Sequence, residues 1–135
     1  MNDRRNFMMK LAAGMAATGL VSISRQATAK GIPLKNVFVH HVFFWLKEPE
    51  NDEARRDFEI GLQALVKVPQ IQSYHIGTPV ESPREVVEDS FTYSYMAFFR
   101  NKSDQNIYQT HPIHLKFIED CQHLWAKVIV YDAMD

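Results

Sequence analysis

The chain has 135 residues, 46% of them hydrophobic and 12% aromatic, enough for one domain with its own core and hardly two. Lys and Arg number 15 against 16 Asp and Glu, a net charge of −1, and no basic block stands in the body, so a nucleic-acid surface is not indicated. The lone cysteine, Cys121, excludes a disulfide within the chain and reads as a buried thiol.

Residues 1–29 read as an export signal rather than part of the fold. Arg4 and Arg5 open a charged region, Leu11 to Ile23 is a mildly apolar run, and Ala27-Thr28-Ala29 is an A-x-A cleavage site. The pattern is that of a twin-arginine leader cleaved after Ala29. It predicts an exported protein, periplasmic or extracellular. The apolar run is too short and too weakly apolar for a good membrane span, so no membrane attachment is expected after cleavage. Arg4, Arg5, Lys10 and Arg25 leave with the leader against Asp3 alone, which makes the mature chain more acidic.

Residues 30–135 are expected to form a single domain. Val37 to Leu46 predicts a first strand, apolar on both parities, so both its faces need cover. His40 and His41 point to opposite faces. Pro49 marks a turn, and Asn51 or Asp52 caps a helix running to about Lys67. Ala54, Phe58, Leu62, Leu65 and Val66 make its apolar stripe. Gly61 sits mid-helix at a cost of up to ~1 kcal/mol against Ala, which points to a close approach there. Ile71 to Gly77 predicts a second strand, Thr78 to Asp89 an acidic loop, and Ser90 to Phe99 a third strand. In that strand Phe91, Tyr93, Tyr95, Ala97 and Phe99 are expected on one face, with Thr92, Ser94, Met96 and Phe98 on the other. Ser103 is a plausible cap for a short helix over 104–109. Pro112 disfavours helix at His111 and suits the first turn of a new helix, with His111 near its cap. That helix runs to about His123, burying Leu115 and Ile118, and Trp125 to Asp132 predicts the last strand.

The order strand-helix-strand-strand-helix-strand is the α+β, ferredoxin-like pattern βαββαβ. Its helices cover one face of a four-stranded sheet. The other face carries large apolar side chains, and the simplest cover is a second copy of the chain, sheet against sheet, as a homodimer with a barrel-like interface.

The segment Tyr108-Gln109-Thr110-His111-Pro112-Ile113-His114 stands out from the ordinary helix and strand around it. Together with Val39-His40-His41-Val42, Val68-Pro69, Gly77, Phe99 and Val128 to Asp132, it resembles the Dabb family, the stress-responsive A/B barrel, whose fold is a dimeric α/β barrel. The resemblance covers about residues 36–132. It implies a plant polyketide cyclase-like aldol ring closure as the best-understood chemistry, without metal or organic cofactor. His40, Tyr108 and His114 match positions important in those cyclases. Tyr93 departs, standing where the cyclase has a histidine, and Gly61 stands where it has a tyrosine. Related barrels include quinone-forming monooxygenases.

Cyclisation or isomerisation needs a base beside a carbonyl and a donor for the enolate oxygen. In a pocket beneath the helices, His114 would serve as base, Tyr108 as oxygen donor, His40 as a partner setting the tautomer and Tyr93 as a second donor. The ligand is then a small, largely apolar molecule. The opposing expectation is a non-catalytic binding or stress-associated module, with these side chains packed at a His-Pro helix break and no cavity. His111 and His114 are spaced i,i+3, a spacing compatible with a metal, but Pro112 interrupts the shared helix. Neither a metal nor an organic cofactor is expected.

Overall fold

The computed structural model describes residues 30–135. The expected export leader lies outside the described residues. Strand β1 (Phe38–Leu46) is followed by helix α1 (Asp52–Leu65), then strands β2 (Ser73–Gly77) and β3 (Tyr93–Phe99). Helices α2 (Lys102–Thr110) and α3 (Pro112–Cys121) come next, then a 3-10 turn at Gln122–Leu124 and strand β4 (Trp125–Met134). The sheet order is β2-β3-β1-β4, antiparallel throughout, which is the ferredoxin-like arrangement.

The central strand explains the core. Phe38, His40, Val42, Phe44 and Leu46 alternate into the helix-covered face, and Val39, His41, Phe43 and Trp45 lie half-buried on the other. Helix α1 places Ala54, Phe58, Leu62 and Leu65 on that core. Phe58 is fully buried and touches the rings of Phe44, Tyr93 and Phe117. A side chain of this kind contributes about 1.5–3 kcal/mol on burial. Asn51 caps α1 by accepting from the backbone N–H groups of Glu53 and Ala54 at 3.0 and 3.1 Å.

Gly61 meets its expectation of a close approach. A Cβ there would overlap the sulfur of Cys121 and stand 3.4 Å from the Phe117 ring. Helix α3 thereby lies directly against α1, and Cys121 is buried between them. Burial pushes its thiol up to about 11.

Several local expectations are corrected. The alternation of β3 begins at Tyr93, not Ser90. Phe91 packs on Phe43 and Trp45 of the open face, while Thr92 is buried and its Oγ1 accepts from the Leu46 N–H at 3.0 Å. The Thr92 N–H also donates to the Phe44 carbonyl, which pins this turn before the ladder starts. Asn101, not Ser103, caps α2, accepting from the Asp104 N–H at 2.8 Å. On α3 the core stripe is His114, Phe117 and Cys121, and Leu115 is exposed. Spacing i, i+3, i+7 from His114 selects those positions and turns Leu115 outward. The helix stops at Cys121 rather than His123, and β4 runs on to Met134.

Candidate functional site

The site grows from three elements meeting at the helix break. His40 faces the helices because β1 alternates, and its register sets it opposite Ala97 on β3 and Asp132 on β4. Its Nδ1 lies 2.6 Å from the Asp132 carboxylate. An ionised carboxylate accepts from that ring nitrogen, so Asp132 fixes the proton at Nδ1 and leaves Nε2 of a neutral ring as the acceptor.

Tyr108 lies in the last turn of α2 and is 1% exposed. Its ring centroid is 5.6 Å from His40 and 4.7 Å from His114, and its hydroxyl stands 3.3 Å from that of Tyr95. Burial, reinforced by Tyr95, holds the Tyr108 phenol far above its ordinary range. The Tyr95 phenol is pushed up to about 12, again by burial. At neutral pH both keep their protons and act as donors rather than bases.

The break itself is built as the sequence suggests. His111 is extended and its Nδ1 accepts from the Ile113 N–H at 3.1 Å, capping α3 with Pro112 in the first turn. His111 is therefore structural. One turn into α3, His114 is 8% exposed, and its Nδ1 has no hydrogen-bond partner among the described residues. Burial lowers its pKa, the backbone at Gln109 opposes that, and His40 lowers it further. A neutral imidazole with a free nitrogen is what a general base requires.

His40, Tyr95, Tyr108, Gln109 and His114 share one cavity of about 130 Å³, lined elsewhere by apolar side chains from the sheet, α1 and α3. The structure thus brings together three of the four expected site residues. Tyr93 is not among them. It stacks on Phe58, and its hydroxyl donates to Glu59 at 2.5 Å beneath the Arg55 guanidinium, facing a separate hollow with Gln63 and Ile76. Asp132 and Tyr95 were missed. Asp132 is found only through strand register, and Tyr95 was legible as a core-face residue but not as the partner of Tyr108. Among the described residues no three His, Cys, Asp or Glu side chains are grouped to hold a metal ion, and no helix is long and apolar enough to cross a membrane.

No curated protein matches the chain. A Dabb family protein of ferredoxin-like fold from Mesorhizobium loti is similar at 16% identity and TM-score 0.62, over 73% of this chain and 96% of that one. Hydroxynitrile lyase from Passiflora edulis is similar at 20% identity and TM-score 0.64, over 76% of this chain and 95% of that one. A dimeric protein of unknown function with a ferredoxin-like fold, from Bacteroides fragilis, is similar at 18% identity and TM-score 0.60, over 76% and 100%. At these identities the solved structures speak for the fold alone. The Stress responsive A/B Barrel Domain, Dabb, matches residues 38–135, nearly everything from β1 onward, and the chain belongs to that family.

Proposed function

We propose that this is an exported, homodimeric A/B barrel protein that binds a small, largely apolar molecule between sheet and helices and moves a proton on it. The observation that carries this reading is that His114, whose buried Nδ1 has no partner, lines one cavity with Tyr108 and His40. His114 takes the proton beside a carbonyl. Tyr108, kept protonated by burial, donates to the oxygen as charge develops there. His40, held by Asp132, is the positioning partner. The outcome is a cyclase- or isomerase-like step, and the hydroxynitrile lyase from Passiflora edulis has the same fold. Export rests on the Arg4-Arg5 leader, and the dimer on the half-buried aromatic face of the sheet with dimeric relatives of like fold.

A simple cyclic ketone reports proton abstraction directly. In heavy water the protein is expected to speed α-deuterium incorporation into cyclohexanone, followed by NMR. His114→Ala should lower that rate by about 10²–10⁴-fold while circular dichroism stays native. An acid limb below about 6.5 is expected in the pH profile, because burial depresses His114 from the ordinary imidazole value. A second reading, binding without turnover, is favoured by the Tyr95–Tyr108 hydroxyl pair at 3.3 Å, which engages the Tyr108 proton when Tyr108 is the donor. It predicts no exchange above background in the unaltered protein, and that result removes the catalytic reading.

A further inference from the structure

On the sheet face away from the helices, one row of side chains across β1, β3 and β2 combines two imidazoles with a thioether. His41 stands opposite Met96, and Met96 opposite His75. Strands are spaced about 4.8 Å apart, so the two histidines flank the methionine from roughly 10 Å apart. Two imidazole arms close such a span from either side. His41 and Met96 are half-buried, and His75 is exposed at the sheet edge, where an ion can enter.

The two rings already lean the same way. The Nε2 of His41 lies 2.8 Å from the Ser94 hydroxyl, and its ring packs on Phe43 at 4.2 Å between centroids. Ser94 pairs with Gly77, two residues beyond His75. The His75 ring lies over that glycine: a Cβ on Gly77 would stand 2.9 Å from His75 Cε1. No positive φ demands a glycine there, so what Gly77 supplies is room. Both imidazoles therefore lean toward the Ser94–Gly77 pair, one from each side of β3. They are near enough that His75 is, after burial, the next cause lowering the His41 pKa.

The donor set selects the ion. Thioether and imidazole together suit soft, monovalent copper, whereas Zn(II), Mg(II) and Ca(II) call for thiolates, carboxylates or further imidazoles. Among the described residues no three His, Cys, Asp or Glu side chains are grouped to supply those. Cu(I) is held by few ligands and needs no bound water, which suits a face that a second copy covers.

We propose that His41, Met96 and His75 form a Cu(I) site on the open face of the sheet, with Ser94 the resting partner that His41 releases when the ion binds. The site lies across the sheet from His40, Tyr108 and His114 and does not depend on any chemistry there.

Competition for Cu(I) against bicinchoninate, under argon with ascorbate and with the whole protein, tests the site. The protein is expected to withdraw one Cu(I) per chain, and Zn(II) at the same concentration is expected not to displace it. His75→Ala and Met96→Leu should each weaken uptake by at least about tenfold, the scale at which even the outer partners of a metal ligand are felt. Met96→Leu conserves side-chain volume, so its effect reads the sulfur and not the fold. In the unaltered protein the Met96 methyl resonance should move on adding Ag(I), a redox-inert stand-in for Cu(I). That measurement decides the point should a variant fail to fold. Failure to withdraw Cu(I), uptake unchanged in both variants, displacement by Zn(II) or an unmoved Met96 resonance each overturns the site.

Discussion

His40 and Asp132 lie 92 residues apart in sequence and 2.6 Å apart in space. Asp132 is nearly half exposed, so the pair adds little to stability, about 0–1 kcal/mol. Its role is to choose a tautomer. Folded Asp132→Ala protein should show mixed His40 tautomers by ¹⁵N NMR where the unaltered protein shows one, and an unchanged single tautomer would refute the positioning role. The sequence shows His40, Tyr108 and His114 as residue types suited to proton transfer. It cannot show that His111 spends its Nδ1 on a backbone N–H while that of His114 has no partner. Nor can it show that Tyr93, a phenol on the same strand face as Tyr95, is drawn off to Glu59. The two phenols differ because successive same-face residues on a strand lie about 7 Å apart, enough to place them over different helices.

At the scale of elements, the contact between α1 and α3 is set by a missing side chain. Gly61→Ala adds up to ~1 kcal/mol of helix propensity but forces a methyl into the Cys121 sulfur. Overpacking of this kind costs about 1–3 kcal/mol. A net loss of stability in urea is therefore expected for Gly61→Ala, with most of it restored in the Gly61→Ala, Cys121→Ala double variant. Additive losses in the double variant would mean that the sulfur is not the obstacle. The glycine's importance was legible in the sequence, because a helix interior rarely keeps one without reason. The strand starts were not. Thr92 and Phe91 exchange faces through hydrogen bonds to β1, and such a switch leaves no trace in an alternating pattern.

For the whole molecule, one sheet face is left without cover by the helices. Phe43, Trp45, Phe91 and Tyr131 cluster there, Lys127 lies 4.5 Å above the Trp45 ring, and His75, Met96, His41 and Tyr131 form a row across four strands. Protein recovered after export is expected to begin at Lys30 and to sediment as a dimer, while Phe43→Asp should sediment as a monomer with native circular dichroism. A dimeric Phe43→Asp protein would place the interface elsewhere. The dimer should also weaken as pH falls. His41, whose Nε2 meets Ser94 Oγ at 2.8 Å, already has its pKa lowered by burial and then by His75 and His40. A second sheet would bury it further and lower that pKa again. Protonation then favours the monomer, so the dissociation constant rises as pH drops through the imidazole range.

The sequence by itself determined the elements, the ferredoxin-like order, the helix break at His111-Pro112 and the apolar character of both sheet faces. Those follow from local propensity, periodicity and proline geometry, all of which act over a few residues. Only the tertiary structure decided which polar side chains meet. Strand register joined Asp132 to His40, helix phase turned His114 inward and Leu115 outward, and core packing left a cavity of about 130 Å³ beside them. These depend on contacts between distant parts of the chain, and hydrophobic pattern alone does not encode them.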